Sequence, residues 1–407
     1  IIGGSMAGLF SGVLLHRIGW EVRIFERVDA GLASRGAGIV MHNALFNALK
    51  RAGIDRSDEV GVEVPGRRTL DRSGKIIGQI PLRQTLTSWG QIYRLLISML
   101  PANRYVKGKS LKRVYQDASG VTAVFEDGTI ETGDLLIGAD GIRSTVRRQL
   151  APDVTPIYAG YIAWRGLVEE ATLSPEAHDA LFNWFGFCLP IHEQMLGYPV
   201  AGPENDLRSG HRRYNFVWYR PADEKSELAR LLMDSDGRRN EVSIPPDRIR
   251  PDVIAEMRGA ADTLLAPQFS EVVRLTEQPF FQPIYDLEMQ RMAFGRIALL
   301  GDAAFVGRPH VGMGVTKAAD DAIALTEALL EVDHVVEIAL KRFEMARLSI
   351  GAAVIARARH LGAYMQAQIS TEEERQMAET FRTPDAVMKE TAVADFLAQV
   401  GDDTKER

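Results

Sequence analysis

The chain opens with a strand pattern that gives way within a few residues to a helix pattern. Ile1-Ile2 ends an apolar strand, and Gly3-Gly4-Ser5-Met6-Ala7-Gly8 follows as a glycine-rich turn. Leu9, Val13, Leu14 and Ile18 then recur at helical spacing up to Gly19. Residues 21–26 (EVRIFE) alternate like a strand. A strand–turn–helix–strand unit of about 30 residues is how a parallel sheet begins. The same reading predicts a helix over 43–53, a hairpin over 61–90 turning at Ser73-Gly74, and a helix over 92–100 stopped by Pro101. Two short strands, 110–115 and 121–125, lead through a turn at Asp127-Gly128 to a wholly apolar strand, Leu135-Leu136-Ile137.

Residues 151–285 read differently. They are rich in Trp, Tyr and Phe, alternate over 214–219, and break at Pro199, Pro221 and Pro245-Pro246. That pattern predicts an antiparallel sheet packed on helices. An apolar strand returns at 297–300, a long helix runs from about Val315 to Glu331, and the remainder is helical, amphipathic over 371–407 with an acidic end. The expected fold is α/β in three parts. Residues 1–60, 91–150 and 286–332 form a discontinuous Rossmann-like domain. Residues 61–90 and 151–285 form an inserted domain with a mixed, largely antiparallel sheet, and 333–407 form a C-terminal helical region.

Composition narrows the function. The 407 residues carry a net charge of −6, which argues against a nucleic-acid partner. The single cysteine, Cys188, allows no internal disulfide and reads as a small buried hydrophobe in a cytoplasmic protein. No run of apolar residues is long enough for a membrane helix. Residues 1–15 are apolar but lack the basic flank and small-residue cleavage site of a signal peptide. Because the first residue is Ile1, a few residues are expected to precede it. The histidines form no His-x-His or His-Glu-x-x-His pattern, so no metal site is expected.

Of 36 glycines, 17 lie in residues 1–40, 128–141 and 295–314. The chemistry is therefore sought there. The first segment is a dinucleotide fingerprint: Gly3, Gly4 and Gly8 let backbone amides approach a diphosphate at a helix N-terminus, with Ser5 at the pattern's third position. Glu26, 18 residues after Gly8, is placed to accept from ribose hydroxyls, with Arg27 beside it as an adenosine neighbour or a solvated charge. The second and third segments set Asp140 and Asp302 just after apolar strands. Each is either a helix N-cap or a ligand contact at the sheet edge. Arg308-Pro309-His310-Val311-Gly312-Met313-Gly314 then leads into the long helix. A helix start of this kind stabilises negative charge, which suits a reduced flavin more than a nicotinamide.

Together these segments resemble the three fingerprints of the single-component FAD-dependent aromatic hydroxylases, the para-hydroxybenzoate hydroxylase superfamily. The resemblance covers nearly the whole chain. Tyr158-Ala159-Gly160-Tyr161, Trp164-Arg165-Gly166, Tyr198-Pro199 and Arg308-Pro309-His310 are similar to the branch acting on hydroxylated pyridines, dihydroxypyridine among them. The resemblance implies that residues 3–8 hold the FAD diphosphate, Asp140 serves FAD and reduced nicotinamide, and Asp302 holds the ribityl chain. It implies that Arg94 lies near the diphosphate, that the Leu111 backbone meets the adenosine, and that Gly38 and Val40 run along the isoalloxazine with Arg35 beside them. It implies that Pro309, Gly312, Met313 and Gly314 face the flavin. Phe305 and Thr316 depart from the family pattern, which often has His and Asn there.

The activity implied is hydroxylation of an electron-rich aromatic ring by NADH or NADPH and O2 through a C4a-hydroperoxyflavin. Its partners would be a small aromatic substrate and O2, with a homodimer possible through the C-terminal helices. Tyr198 and His310 are the candidate catalytic residues. Tyr198 matches a family position facing the substrate, or is a core tyrosine. His310 reaches the pocket from its loop and suits proton transfer near neutral pH, or only braces Pro309. Absence of a second glycine fingerprint and of paired cysteines separates the chain from disulfide reductases. A related oxidase or epoxidase, or a flavin-bound sensor without turnover, are the competing readings.

Overall fold

Ile2 is the centre of a parallel layer. It bridges in parallel to both Phe25 and Gly138. Strand Ile24–Phe25 runs parallel to Tyr105–Val106, and Leu136–Gly138 runs parallel to Ile297–Leu299. These strands are short and apolar because both faces are covered. Helix Met6–Arg17 is buried from Met6 through Leu15, and it packs beside the long helix Gly314–Glu331. Neighbouring strands therefore end at one edge, in Gly3, Glu26, Asp140 and Asp302, where open α/β sheets bind ligands. The structure, a computed structural model, describes residues 1–30, 32, 38–55, 60–394 and 396.

Against this layer lies a small antiparallel meander of Leu111–Gln116, Val121–Phe125 and Ile130–Gly133. The third strand has no apolar alternation to betray it, since no residue of it is buried.

The second layer is a nine-stranded sheet. Its order runs Phe305–Val306, Phe280–Glu288, Ile157–Glu169, Arg213–Pro221, Gln194–Val200, Phe185–Cys188, Val62–Leu70, Ile76–Ser88, Gly38–Met41. Pairing is antiparallel except that Phe185–Cys188 runs parallel to Val62–Leu70. Both edge strands come from stretches read as part of the Rossmann-like domain, so the two layers share backbone at Gly38 and just beyond Asp302. Strand alternation sorts the side chains. Trp164, Trp218 and Phe216 pack on helices Pro251–Leu264 and Pro267–Leu275. Tyr161, Ala163, Leu196, Tyr198, Val217 and Tyr219 point to the opposite face. That second face looks towards the sheet edge of the first layer. Helix Val336–Gly362 spans both layers, and Phe305 lies so close to Gly351 that a β-carbon there would sit 2.7 Å from its ring. A histidine in place of Phe305 would be buried in that apolar contact.

Candidate active site

The first glycine turn has a local cause and a tertiary one. Gly3 takes a φ of +101°, and a β-carbon there would sit 2.3 Å from the Ala139 carbonyl oxygen. Only glycine fits such a left-handed position against a neighbouring strand. The Gly4 amide donates to Glu26 Oε2 at 2.8 Å, and the Val28 amide donates to Glu26 Oε1 at 2.9 Å. Glu26 is thus fixed at the mouth of the turn with lone pairs to spare. Tyr93 donates to the Tyr105 hydroxyl, which donates to the Gly4 carbonyl at 3.0 Å. Ser5 makes no side-chain cap on the helix it precedes, and no acidic residue lies in the first turn. The amides of that turn are left to an anion.

The second helix start is similar. Pro309–Val311 is a single 3-10 turn closed by Gly312 in the left-handed region, and helix Gly314–Glu331 begins with no side-chain cap and no acid in its first turn. A β-carbon at Gly314 would meet nothing within 4 Å. The turn is anchored from behind by Arg308, which donates to Asp286 at 2.9 Å and to Gln366 at 2.6 Å.

Between the two layers opens a cavity of about 510 Å³. Gly38, Val40, Asp302, Pro309, Gly312, Met313 and Gly314 line one part of it, and Phe185, Leu196, Tyr198, Val217 and Tyr219 line another. Asp302 is exposed into this cavity, and the surrounding protein raises its carboxyl above the ordinary range by desolvation. The Tyr198 hydroxyl has no hydrogen-bond partner among the described residues, and burial pushes its ionisation well up. Gly38 lies against its ring, and the Gly38 amide donates to Asn215 Oδ1 at 3.1 Å.

Several expected residues lie away from the cavity. His310 does not line it. The imidazole is 1% exposed, set behind the Tyr219 ring at a centroid distance of 4.2 Å, with Nε2 and the Tyr161 hydroxyl 2.7 Å apart. Burial first, then the nearby Arg308 and Arg165, pushes its pKa well below 6.5. This corrects the expectation that His310 reaches the substrate: the register of the sheet interposes Tyr219. Asp140 is first of all a helix cap, accepting from the Thr145 amide at 2.7 Å, while its Oδ1 is buried without a partner. Arg27 is exposed, and Arg94 donates to Gln91 at 3.0 Å beside the Tyr93–Tyr105 contact that holds Gly4. Leu111 packs opposite Phe125, two residues after Lys109, whose amide donates to the Glu26 carbonyl. Arg35 lies outside the described residues.

Two of the charged residues that line the cavity were given no role from the sequence. Lys317 is buried and paired with Asp321 at 3.4 Å. Arg165 is 9% exposed, lines the cavity, and has no hydrogen bond or ion pair among the described residues, its Nε being orphaned. The available signal was a charge in an otherwise apolar alternating strand.

The arrangement suits a flavin dinucleotide. Two uncapped helix starts suit its anionic parts, the glycines leave room for close approach, and Asp302 and the orphaned Asp140 Oδ1 offer acceptors along the edge. Comparison with known proteins agrees. Residues 158–286 match the model of an FAD binding domain-like family, and residues 248–358 match that of an FAD binding domain. The 2,6-dihydroxypyridine 3-monooxygenase of Paenarthrobacter nicotinovorans is 30% identical over 90% of this chain and 91% of its own length. The 3-amino-4-hydroxybenzoate 2-monooxygenase of Streptomyces cremeus is 30% identical over 89% of this chain and 86% of its own. A solved structure of 2,6-dihydroxypyridine-3-hydroxylase from Arthrobacter nicotinovorans superposes with a TM-score of 0.84, covering 91% of this chain and 93% of that one. The glycine-lined sheet edge, the cavity it faces and these relatives share one explanation: the chain belongs to the FAD-dependent aromatic monooxygenases.

Proposed function

We propose that this FAD-dependent monooxygenase hydroxylates a ring-hydroxylated N-heterocycle of the dihydroxypyridine type, using NADH or NADPH and O2. The observation that carries the reading is the cavity itself. It joins a glycine-lined, anion-ready end to a wall of Phe185, Tyr198 and Tyr219 suited to a flat ring. The relative from P. nicotinovorans, named for 2,6-dihydroxypyridine, supports the substrate class.

When bound, FAD supplies the transfer of reducing equivalents from nicotinamide and the activation of O2. The chain's residues do the rest. In this reading the turn of residues 3–8 holds the diphosphate through the uncapped amides at the start of helix Met6–Arg17, Glu26 takes the ribose hydroxyls, and Asp302 takes the ribityl hydroxyls. Arg94 and the Leu111 backbone border the adenosine side. Gly38, Val40, Pro309, Gly312, Met313 and the amide of Gly314 seat the ring system. Tyr198 hydrogen-bonds the substrate with its unpartnered hydroxyl, and the apolar walls exclude water from the reacting ring.

The reading divides the chain into an FAD domain (1–60, 91–150, 286–332), a substrate domain (61–90, 151–285) and a helical region (333–407). It takes the enzyme as a cytoplasmic homodimer. The buried free Cys188 supports the first attribute. Exposed Leu330, Val335, Ile338 and Met345 on the late helices support the second, which light scattering checks.

The test uses the purified protein. It is expected to be yellow, to oxidise NADH or NADPH faster when 2,6-dihydroxypyridine is added, and to give a product heavier by one oxygen atom. A yellow protein whose oxidation rate ignores a whole panel of hydroxypyridines and phenols sinks the reading.

A further inference from the structure

We propose that Arg165 takes the substrate as an anion, pairing its guanidinium with a deprotonated oxygen on the ring, so that binding rather than a protein base keeps the ring ionised. This rests on the ring-hydroxylase reading above.

Three observations converge. First, Arg165 is a buried cation without a counter-charge. Of the other basic residues lining the cavity, Arg308 is paired with Asp286 and Lys317 with Asp321, and Arg143 donates to Ser243. Arg165 has no such partner among the described residues, although it is 9% exposed. A buried charge is maintained when something compensates it. Second, its place is at the ring end. Strand register sets Arg165 opposite Val217, and Val217, Tyr198 and Tyr219 share its cavity. A planar guanidinium beside flat aromatic walls matches a ring bearing an exocyclic oxygen, which it can grip with two parallel N–H bonds. Third, this end of the cavity holds no ready base. His310 lies behind Tyr219, the Tyr198 hydroxyl keeps its proton, and Asp302 lines the part shared with the glycines. The ring hydroxyl therefore gives its proton to water on entry, and Arg165 holds the resulting oxyanion.

The experiment measures binding to the FAD-loaded enzyme through the change in flavin absorbance, at a pH where pyridine is uncharged. The probes are 2,6-dihydroxypyridine, benzoate and pyridine, on wild type, Arg165→Gln and Arg165→Lys. Arg165→Gln is expected to weaken the dihydroxypyridine and benzoate by about tenfold or more while changing pyridine by less than about twofold. Arg165→Lys is expected to recover part of the loss, and FAD affinity, read by fluorescence, to stay unchanged in both. Unchanged anion binding, equal weakening of all three probes, or a loss confined to FAD overturns the proposal. So does a wild type that binds pyridine as well as benzoate, a result that needs no variant to fold. If wild type hydroxylates the dihydroxypyridine but Arg165→Gln binds it equally, Arg165 is misassigned and the enzyme reading stands. If wild type hydroxylates no ring yet benzoate binding depends on Arg165, the anion site stands and the enzyme reading falls.

Discussion

Tyr198 rests on Gly38 so closely that a β-carbon at residue 38 would sit 2.3 Å from its ring and 2.8 Å from its hydroxyl. The two residues belong to different strands of the nine-stranded sheet and face the same cavity. Gly38 has no left-handed backbone requirement, so its role is space. Gly38→Ala is expected to push Tyr198 off its position, costing about 1–3 kcal/mol of stability by overpacking. It should also weaken binding of 2,6-dihydroxypyridine. In a Tyr198→Ala background, itself destabilised by loss of a buried ring, Gly38→Ala should cost little further stability and binding should stay weak, and thermal melts with spectral titration of the double-mutant cycle read both.

Gly4 is governed by the other glycine turn. Its β-carbon would sit 2.2 Å from the Tyr105 hydroxyl, which holds the Gly4 carbonyl. Gly4→Ala is therefore expected to displace the turn and lower FAD retention, leaving a paler protein. Tyr105→Ala removes the hydroxyl and the ring atoms, 2.6 and 2.7 Å away, that the new methyl meets, so the pair should regain part of the colour. Flavin absorbance per protein after desalting measures it.

His310 is expected to act through packing. Its Nε2 sits 2.7 Å from the Tyr161 hydroxyl inside the protein. His310→Gln keeps a polar partner there and should leave turnover within about fivefold, whereas His310→Ala leaves a cavity and an unpaired hydroxyl and should destabilise by about 2–4 kcal/mol. The sign of the pH effect follows from burial. Because folding lowers the imidazole pKa below 6.5, its contribution to stability is complete above pH 6.5 and is lost as pH falls through the folded pKa. The difference in melting temperature between wild type and His310→Gln should therefore shrink or reverse on acidification.

Asp286 and Arg308 make an unequal pair. Arg308→Ala leaves Asp286 with Arg359 at 3.3 Å, but Asp286→Ala leaves the buried Arg308 with the neutral Gln366 and the Tyr161 ring, among the described residues. Breaking a buried pair typically costs about 3–5 kcal/mol. Asp286→Ala should lie in that range and Arg308→Ala below it, by urea unfolding. Because Arg308 anchors the turn before Gly312, both should also weaken FAD retention.

Much of this protein is legible along the chain. The turns at Gly3, Asp140 and Asp302 each follow an apolar strand and precede a helix or a helical turn, a pattern set by local sterics and by orphan amides that need no distant partner. The hairpin of Val62–Leu70 and Ile76–Ser88 and the long helix Gly314–Glu331 are local in the same sense, and so are visible as periodicity. Strand Ile130–Gly133 was not, because none of its residues is buried.

Local sequence thus sets the strand-end turns that make a dinucleotide site, and with them the family. Which side chains face the cavity between the layers depends on tertiary packing. His310 and Tyr219 are 91 residues apart, and nothing local says that one ring stands in front of the other. Arg165 lies in an alternating strand, where periodicity assigns a face but cannot say whether a carboxylate waits there. Such facts depend on sheet register and on pairings between distant segments, and these are set by how the two layers meet.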